Sequence, residues 1–409
     1  MIKEQLKKAK KACRFMQNVK PEVKNKALKN ISEALIQKSE LIIQENQKDI
    51  AAAKNNGIKE SMVDRLLLNE ERIEAMAKDI LKVIDLQDPI GTLVREIKRP
   101  NGLVIQQIRI PLGVIGVIYE SRPNVTVDIA SLCIKTNNVC VLKGGKEAIH
   151  SNRILVQIIN EAIQDILPAH TVTLIETKKR EETLDLIQAH DYIDVIIPRG
   201  SAGLIQYVVK NATVPVIETG AGICHLYVDQ EASLDMALEI AKNAKIQRPS
   251  VCNAIETILV HQKVAPEFLP KLKEIFKNVQ IYGDEKTRKI IDCLKATKKN
   301  YATEYDDYIC NIKVVDDIEE AIEHIYNYST KHSESIITEN KETAKYFMES
   351  LDSACVYHNA STRFSDGGEF GFGAEVGIST QKLHARGPLG LQEITSTKYM
   401  IYGYGQVWS

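Results

Sequence analysis

Hydrophobic side chains recur at helical spacing through the first hundred residues. Leu28, Ile31 and Leu35 are three or four positions apart, Ile80 and Val83 repeat that spacing, and Lys, Glu and Gln fill the positions between them. A helix has 3.6 residues per turn, so residues at this spacing share one face. The pattern therefore predicts amphipathic helices over about the first hundred residues.

Beyond the turn at 100–102, short runs rich in β-branched residues alternate with helical patterns. The runs predicted to be strands are 103–110, 114–119, 138–142, 171–175, 192–197, 226–228, 256–260, 279–282 and 312–315. Strands that alternate with helices form parallel βαβ units. The chain is therefore predicted to hold two doubly wound α/β domains. The β-prone segments 103–110 and 394–402 lie outside them and are expected to pair with each other or with another subunit.

Composition and charge narrow the class of protein. Of 409 residues, 44% are hydrophobic and 26% are charged, and the formal net charge is -1. These values are typical of a globular protein of about two or three domains, and they create no field that attracts nucleic acid. The apolar runs are far shorter than the roughly 18–20 residues of a membrane span, and the lysine-rich N-terminus has no apolar segment behind it. We therefore expect a cytoplasmic protein with neither a nucleic-acid nor a membrane partner.

The eight Cys and nine His are scattered along the chain, without a CxxC, HExxH or HxH grouping. This spacing is typical of neither a zinc site nor a disulfide framework. We therefore expect reduced thiols and no metal.

Two turns after predicted strands could bind phosphate groups. The chain has neither GxGxxG nor GxxxxGK[ST], but Lys143 and Lys146 flank two glycines directly after the strand 138–142. Gly200 and Ser201 follow the strand 192–197, and Ser201 is predicted to cap a helix whose amides could receive a phosphate. Ligands bind beyond the carboxyl ends of such strands, so both turns are candidate cofactor sites.

Cys252 is the candidate nucleophile. It lies in a polar turn with Arg248, and a neighbouring cation lowers the pKa of a thiol. Cysteines within apolar runs are expected to be structural, which leaves Cys224 as the only rival. Glu218, before a glycine-rich link, is a candidate carboxylate, and Asn124 is a candidate amide donor to an oxyanion.

The motifs that contain these residues resemble the aldehyde dehydrogenase superfamily almost from end to end. They are ENQKDI (45–50), VIYESRPNVTVD (117–128), LKGGKEA (142–148), IIPRGS (196–201), VIETGAG (216–222), RPSVCNAIETILVH (248–261), FGFGAEVGIST (370–380) and KLHARGPLGLQEITSTKY (382–399). The resemblance implies the family's α/β fold with a small β oligomerisation flap. The domains it implies are a cofactor-binding domain at 1–99 and 113–222, a catalytic domain at 223–380, and a flap at 100–112 and 393–409.

The resemblance also implies roles for individual residues. Cys252 matches the catalytic thiol, Lys143 the lysine that contacts the cofactor ribose, and Gly200 with Ser201 the turn that meets the cofactor pyrophosphate. Lys146 stands where NAD-preferring relatives often carry an acidic residue. A cation there favours a 2′-phosphate, so we predict NADPH as cofactor.

Two departures from the family pattern leave roles open. Ordinary members carry a ProTrpAsn element whose Asn helps to hold the oxyanion, and an ungapped comparison puts Arg122 rather than Asn124 at that position. Glu218 matches the base that activates water in hydrolytic members, a step that a reductase does not need.

The stretches YESRPN, IPRGS and LHARGP are similar to the branch of the superfamily that reduces L-glutamyl 5-phosphate to L-glutamate 5-semialdehyde. The resemblance therefore implies NADPH-dependent reduction through a cysteine thioester, the second step of proline biosynthesis from glutamate. Cations should bind the substrate phosphate and carboxylate, and the candidates are Arg122, Arg248, His225, Arg363 and Arg386. A homo-oligomer and contact with a separate glutamate kinase are expected. The alternatives are a hydrolytic or CoA-acylating aldehyde dehydrogenase, or a non-catalytic protein on the same scaffold.

Overall fold

The computed structural model describes residues 2–58, 60–176 and 180–408. Its α-helices are α1 Ile2–Met16, α2 Pro21–Gln37, α3 Ser39–Asn55, α4 Glu60–Leu66, α5 Glu70–Asp85, α6 Asn124–Lys135, α7 Ile149–Ile163, α8 Arg180–Ile187, α9 Ala202–Asn211, α10 Leu234–Ile246, α11 Ala265–Ile275, α12 Glu285–Ile290, α13 Lys298–Tyr301, α14 Ile318–Tyr328 and α15 Lys341–Ser350. Short 3-10 helices occupy Lys146–Ala148 and Thr362–Phe364.

The strands are β1 Leu93–Lys98, β2 Val104–Pro111, β3 Val114–Tyr119, β4 Val139–Gly144, β5 Val172–Leu174, β6 Val195–Arg199, β7 Cys224–Val228, β8 Ile255–His261, β9 Gln280–Gly283, β10 Leu294–Lys295, β11 Ile309–Val315, β12 Ser333–Ile337, β13 Cys355–His358, β14 Ile378–Ser379, β15 Gly387–Pro388 and β16 Thr395–Tyr402. The chain divides into two compact units. The first comprises Met1–Glu218, Gly371–Gly377 and Leu389–Ser409, and the second comprises Thr219–Phe370 and Ile378–Pro388.

The first unit is built on a parallel sheet in the order β5-β4-β3-β6. All six residues of β3 are buried, as is usual for a parallel strand covered by helices on both faces. In the register of the sheet, Tyr119 lies opposite both Gly144 and Arg199, so β3, β4 and β6 end at the same level. The chain segments that follow these three strands therefore emerge at one edge.

A separate antiparallel sheet in the first unit joins β1, β2 and β16. The pairing of the segments near 103–110 and 394–402 is confirmed, with Gln107 opposite Tyr399. The prediction that helices fill the first hundred residues was wrong for Leu93–Lys98, which is β1. This strand is mostly exposed, and it forms because its backbone pairs with β2, a contact that its own residues do not signal.

The second unit contains a seven-stranded parallel sheet in the order β10-β9-β11-β8-β7-β12-β13. Its central strands β7 and β8 are buried along their whole length, as continuous apolar runs in parallel sheets usually are. The prediction of two parallel α/β sheets is thereby confirmed. Cys224 begins β7, and Cys252 lies three residues before β8, so both thiols lie at the amino end of the sheet. The turn that contains Cys252 therefore lies at the opposite end of its sheet from the carboxyl end, where ligands are generally expected.

Across residues 2–58, 60–176 and 180–408, no helix is both long enough and apolar enough to cross a bilayer. None of the eight cysteines is in a disulfide.

A buried ion pair joins two residues that lie on either side of Cys252 in the chain. The Lys245 ammonium near the end of α10 lies 2.8 Å from the Glu256 carboxylate at the start of β8, and both side chains are almost fully buried. Burial raises the pKa of Glu256, and the Lys245 charge opposes that effect. The pair ties together the two ends of the turn that carries the thiol.

We predict that Lys245→Met lowers the free energy of unfolding by about 3–5 kcal/mol, because Glu256 is left buried without its partner. The matched control is Lys242→Met on the same helix, whose ammonium lies 4.0 Å from Glu239 at the surface. It should change stability by less than about 0.5 kcal/mol. Urea unfolding of both variants measures the difference, and equal effects would contradict the prediction.

Candidate active site

Two thiols, Cys252 in the turn at 247–254 and Cys224 in β7, differ in how far they are exposed to solvent. Cys252 is half-buried, whereas Cys224 is fully buried in β7. Burial raises the pKa of the Cys224 thiol well above its usual value, and the Glu334 carboxylate adds to the rise. A thiol that is buried and protonated is a poor nucleophile. Of the two candidates, the structure therefore favours Cys252.

The main chain at Cys252 is held against the start of β7. The Cys224 thiol donates a hydrogen bond to the Cys252 carbonyl, with 3.2 Å between sulfur and oxygen. A β-carbon added to Gly222 would lie 1.5 Å from that same carbonyl oxygen, so only glycine fits there. The Gly222 amide donates to Glu304 Oε1 at 2.7 Å. The last glycine of the VIETGAG motif is thus required by the close approach of two backbones.

Asn253 joins the turn to the short helix Thr362–Phe364. Its Nδ2 donates to the carbonyls of Arg363 at 3.2 Å and Ser365 at 2.9 Å, and its own carbonyl accepts from Thr362 Oγ1 at 2.7 Å. Arg363 Nη1 donates to Asn253 Oδ1. Asn253 follows Cys252 directly in the chain. Its hydrogen bonds could not be predicted from the sequence, because its partners lie about 110 residues away.

The Arg363 guanidinium lies in the neighbourhood of the thiol. Its Nε donates to Gln247 Oε1 at 2.9 Å, so two side chains of the turn hold it. Burial lowers the pKa of Arg363, Asp366 and Cys252 oppose this, and the Arg248 cation adds to the lowering. Arg248 itself is exposed. Arg363 is therefore close enough to interact with both Arg248 and the Cys252 thiol.

His225 is the candidate that the structure argues against. Its side chain is fully buried in β7, and Glu334 Oε2 accepts from both the ring Nδ1 at 3.0 Å and the backbone amide at 2.9 Å. The ring packs edge-on against His324. A substrate in solution cannot reach such a side chain. His225 was a candidate because it is a polar residue next to Cys224. Its burial could not be predicted, because its partner Glu334 lies more than 100 residues later in the chain.

Arg386 belongs to a separate ion-pair cluster. Its Nη1 lies 2.8 Å from Asp352 Oδ1 and its Nη2 donates to the Asp352 carbonyl at 2.7 Å. Lys331 and Lys382 bind the same carboxylate, and the hydrogen bond from Arg386 is the main reason that the pKa of Asp352 lies well below its usual value. These two contacts with Asp352 give Arg386 a structural role.

In the first unit, Glu120 meets the turn predicted to bind pyrophosphate. Glu120 follows β3, and its Oε2 accepts from the Ser201 amide at 2.8 Å. A β-carbon on Gly200 would lie 2.5 Å from that oxygen. The Ser201 hydroxyl accepts from the Leu204 amide at 3.4 Å, which confirms Ser201 as the cap of α9. The residues around Ser201 do not indicate this contact, because Glu120 lies 81 positions earlier in the chain.

One lysine of the other turn lies near two carboxylates. Lys143 is half-buried at the end of β4, and burial lowers its pKa while Glu147 and Glu120 raise it. Lys146 is exposed. Glu147 Oε1 accepts from the amide and the hydroxyl of Ser121 at 2.8 and 2.9 Å, which holds Ser121 at a positive φ of 47°. The ends of β3, β4 and β6 therefore bring together mixed charges.

The remaining candidates also lie in the first unit. Asn124 begins α6, and its Nδ2 donates to Asp128 Oδ2 at 3.0 Å. Burial raises the pKa of Asp128 to about 7, and the bond from Asn124 opposes the rise. Arg122 is half-buried just before this helix, and its carbonyl accepts from the Val125 amide. Glu218 is half-buried after the buried Ile217.

The donors at this edge fit a dinucleotide. Two ammonium groups, the Ser201 hydroxyl and an exposed Gly200 are the kinds of group that bind phosphates and ribose hydroxyls. Across the described residues, no group of three or more His, Cys, Asp or Glu could hold a metal ion.

Known proteins are similar to this chain over almost its whole length. The model of the aldehyde dehydrogenase family matches residues 1–309. The chain belongs to this family. A gamma-glutamyl phosphate reductase of Halothermothrix orenii is 53% identical, with 99% of each chain covered, and one of Petrotoga mobilis is 55% identical, with 98% of this chain and 97% of the relative covered. The crystal structure of gamma-glutamyl phosphate reductase from Thermotoga maritima is 48% identical, covers 99% of each chain and superimposes with a TM-score of 0.96.

Within the family, the chain is thus a member of the gamma-glutamyl phosphate reductase group. Membership implies an oxidoreductase with a nicotinamide cofactor.

We predict that Gly222→Ala abolishes the reaction of Cys252 with iodoacetamide and costs more than about 3 kcal/mol of stability, because the new methyl group overlaps the Cys252 carbonyl. Gly203→Ala in α9 is the matched control, since a β-carbon there meets nothing within 4 Å. It should be neutral or stabilise by up to about 1 kcal/mol. Mass spectrometry of the labelled peptide and thermal unfolding provide both readouts. A Gly222→Ala protein labelled at the wild-type rate would contradict the prediction.

Proposed function

We propose that this protein reduces L-glutamyl 5-phosphate with NADPH to L-glutamate 5-semialdehyde and inorganic phosphate. The observation that carries the proposal is the half-buried Cys252 in a turn that also holds the Arg363 guanidinium. The names of the full-length relatives supply the substrate class. The activity would be the reductive step of proline biosynthesis from glutamate.

In the first step of the proposed mechanism, the Cys252 thiolate attacks the acyl carbon of the substrate. A carbon–sulfur bond forms, the bond from that carbon to the phosphate oxygen breaks, and phosphate leaves with the electron pair. The product on the enzyme is a thioester. Arg363 and Arg248 would stabilise the thiolate before the attack and the phosphate as it leaves, since guanidinium groups bind phosphate in bidentate geometry.

In the second step, the thioester carbon is reduced. Bound NADPH supplies the hydride. The tetrahedral species on Cys252 then collapses, the carbon–sulfur bond breaks, the aldehyde departs and the thiolate is restored. Asn124 is our candidate donor to the oxyanion, because Asp128 fixes its amide while one N–H of that amide has capacity for a second acceptor. Arg122 is the alternative donor, and Glu218 has no assigned step in this mechanism.

NADPH rather than NADH follows from the charges at the edge of the first sheet. We assign Lys143 to the ribose, Gly200 and Ser201 to the pyrophosphate, and the exposed Lys146 to the 2′-phosphate. Glu120 already accepts from the Ser201 amide, so we assign the pyrophosphate to the Ser201 hydroxyl rather than to that amide.

We extend the proposal to self-association through the sheet β1-β2-β16. Tyr399 and Ile401 are 60% and 61% exposed, and because they are two positions apart on β16 they lie on the same face of the sheet. Large apolar side chains exposed together on a sheet mark a surface that binds another protein chain. Contact with a separate glutamate kinase is a further part of the proposal, because an acyl phosphate hydrolyses readily in water.

The first test is the reverse reaction, in which NADP is reduced with 1-pyrroline-5-carboxylate in the presence and absence of inorganic phosphate. We expect absorbance growth only with phosphate, and its loss in Cys252→Ser. Cys293→Ser, at a half-buried thiol elsewhere in the second unit, should keep most of the activity. Growth without phosphate would indicate a hydrolytic enzyme with Glu218 as its base, and would overturn the proposal.

The cofactor preference has its own test. Lys146→Glu should lower the ratio of kcat/KM for NADPH over NADH by at least about tenfold, because a charge-assisted hydrogen bond is worth about 1.5–3 kcal/mol. Lys210→Glu, an exposed charge reversal in the last turn of α9, should leave the ratio unchanged. An unchanged ratio in Lys146→Glu would remove the argument for NADPH.

A further inference from the structure

We propose that Asn253 is a positioning residue that fixes the direction of the Cys252 side chain and holds the Arg363 guanidinium beside it. The inference deepens the proposed function, on which it rests, by adding a residue that acts on the nucleophile without contacting the substrate. It stands on a set of hydrogen bonds that lie entirely within the second unit.

Every polar atom of the Asn253 side chain has a partner within one short segment. Asn253 is 4% exposed, its two amide hydrogens are shared between the carbonyls of Arg363 and Ser365, and its Oδ1 accepts from Arg363 Nη1. The Thr362 hydroxyl donates to the main-chain carbonyl of Asn253. An asparagine amide can donate two hydrogen bonds and accept at the same time, and both abilities are used here.

Neither aspartate nor alanine at position 253 could make the same set of hydrogen bonds. An aspartate accepts from Arg363 but has no hydrogens for the two carbonyls, and an alanine leaves both carbonyls without a donor. A buried polar group that loses its partner bears the full cost of its desolvation. The main chain must then move to find other partners, and Cys252 moves with it because the two residues share a peptide bond.

The segment that receives these bonds is itself anchored to the sheet. The Ser365 hydroxyl lies 2.5 Å from that of Ser333 on β12 and 2.7 Å from that of Tyr357 on β13. Asn253 therefore connects the turn to two strands rather than to a loose loop. On the carboxyl side of the thiol, the Cys252 carbonyl accepts from the Cys224 thiol, and on its amino side the Val251 carbonyl accepts from the Ala254 amide at 3.0 Å. With both flanking peptides fixed, the sulfur has a defined direction.

Asn253 also decides where the cation lies. Arg363 is held at Nε by Gln247 and at Nη1 by Asn253, so loss of Asn253 leaves one anchor for a long, mobile side chain. The charged side chains around the turn include Arg248, Arg363, Asp366 and Glu304. Replacing Asn253 changes none of these charges. A change in thiol reactivity would therefore report the position of the cation and of the thiol rather than a change in charge.

The test is the pH dependence of Cys252 alkylation by iodoacetamide in the full chain, followed on the labelled peptide by mass spectrometry. Asn253→Ala should move the midpoint to higher pH and slow alkylation at pH 7 by about tenfold, as expected for a rise of one unit in the pKa of the thiol. The matched control is Asn311→Ala. Asn311 is also fully buried and bonded in this unit, to Tyr305 and to the Asn300 carbonyl.

Asn311→Ala should lower the unfolding temperature without moving the alkylation midpoint. A folded Asn253→Ala with the wild-type midpoint and rate would overturn the inference, since its role would then be structural only. Should Asn253→Ala fail to fold, Thr362→Val removes only the hydroxyl that binds the Asn253 carbonyl. A smaller shift in the same direction would support the inference, and no shift would overturn it. Alkylation needs neither phosphate nor an acyl substrate, so a failed phosphate dependence in the reverse reaction would overturn the proposed function alone.

Discussion

The close approach of the Gly222 backbone to the Cys252 carbonyl is the contact on which the rest of the thiol turn depends. A side chain at Gly222 would overlap that carbonyl, so the contact exists only because the residue is glycine. The approach allows Glu304 to bind the Gly222 amide and Cys224 to bind the Cys252 carbonyl. Two segments some 30 residues apart thereby become one rigid support. A nucleophile has to be held within a fraction of an ångström of its productive position, and backbone contacts of this kind provide such precision.

The two units distribute charge differently, and the difference matches their proposed tasks. Around the thiol, Arg363 and Arg248 are cations near a group that reacts as an anion and expels a phosphate. At the edge of the first sheet, lysines are interleaved with carboxylates, and Glu120 holds the amide at the cap of α9. A carboxylate at the N-terminus of a helix interacts favourably with the helix dipole. The same negative charge weakens the electrostatic attraction of this edge for an anionic cofactor. Recognition of the cofactor then has to come from specific donors such as Lys146, rather than from a general positive field.

Local patterns predicted the elements, and long-range contacts decided what the patterns missed. The alternation of strand and helix patterns predicted both parallel sheets, and the serine after a strand predicted the cap at Ser201. The β-branched runs at 103–110 and 394–402 predicted strands that pair with each other or with another subunit. The strand at Leu93–Lys98 was missed because it forms only by pairing with β2. His225 was misassigned because Glu334 buries and binds it, and the bonds of Asn253 to residues 362–365 have no trace in the turn's own sequence.

The buried pair Lys245–Glu256 is better explained by the arrangement of α10 and β8 that it fixes than by a contribution to the stability of the protein. A buried ion pair is often no more stabilising than two well-packed apolar side chains of the same volume. Its value here lies in direction, because an ammonium and a carboxylate 2.8 Å apart fix the spacing of α10 and β8 in a way that apolar contacts do not. The chain between those anchors contains Cys252, whose main chain is already bound by Cys224, and Asn253, which is bound to residues 362–365. The turn is therefore restrained at its ends and at its centre, which accounts for a half-buried thiol held on a rigid frame rather than on a mobile loop.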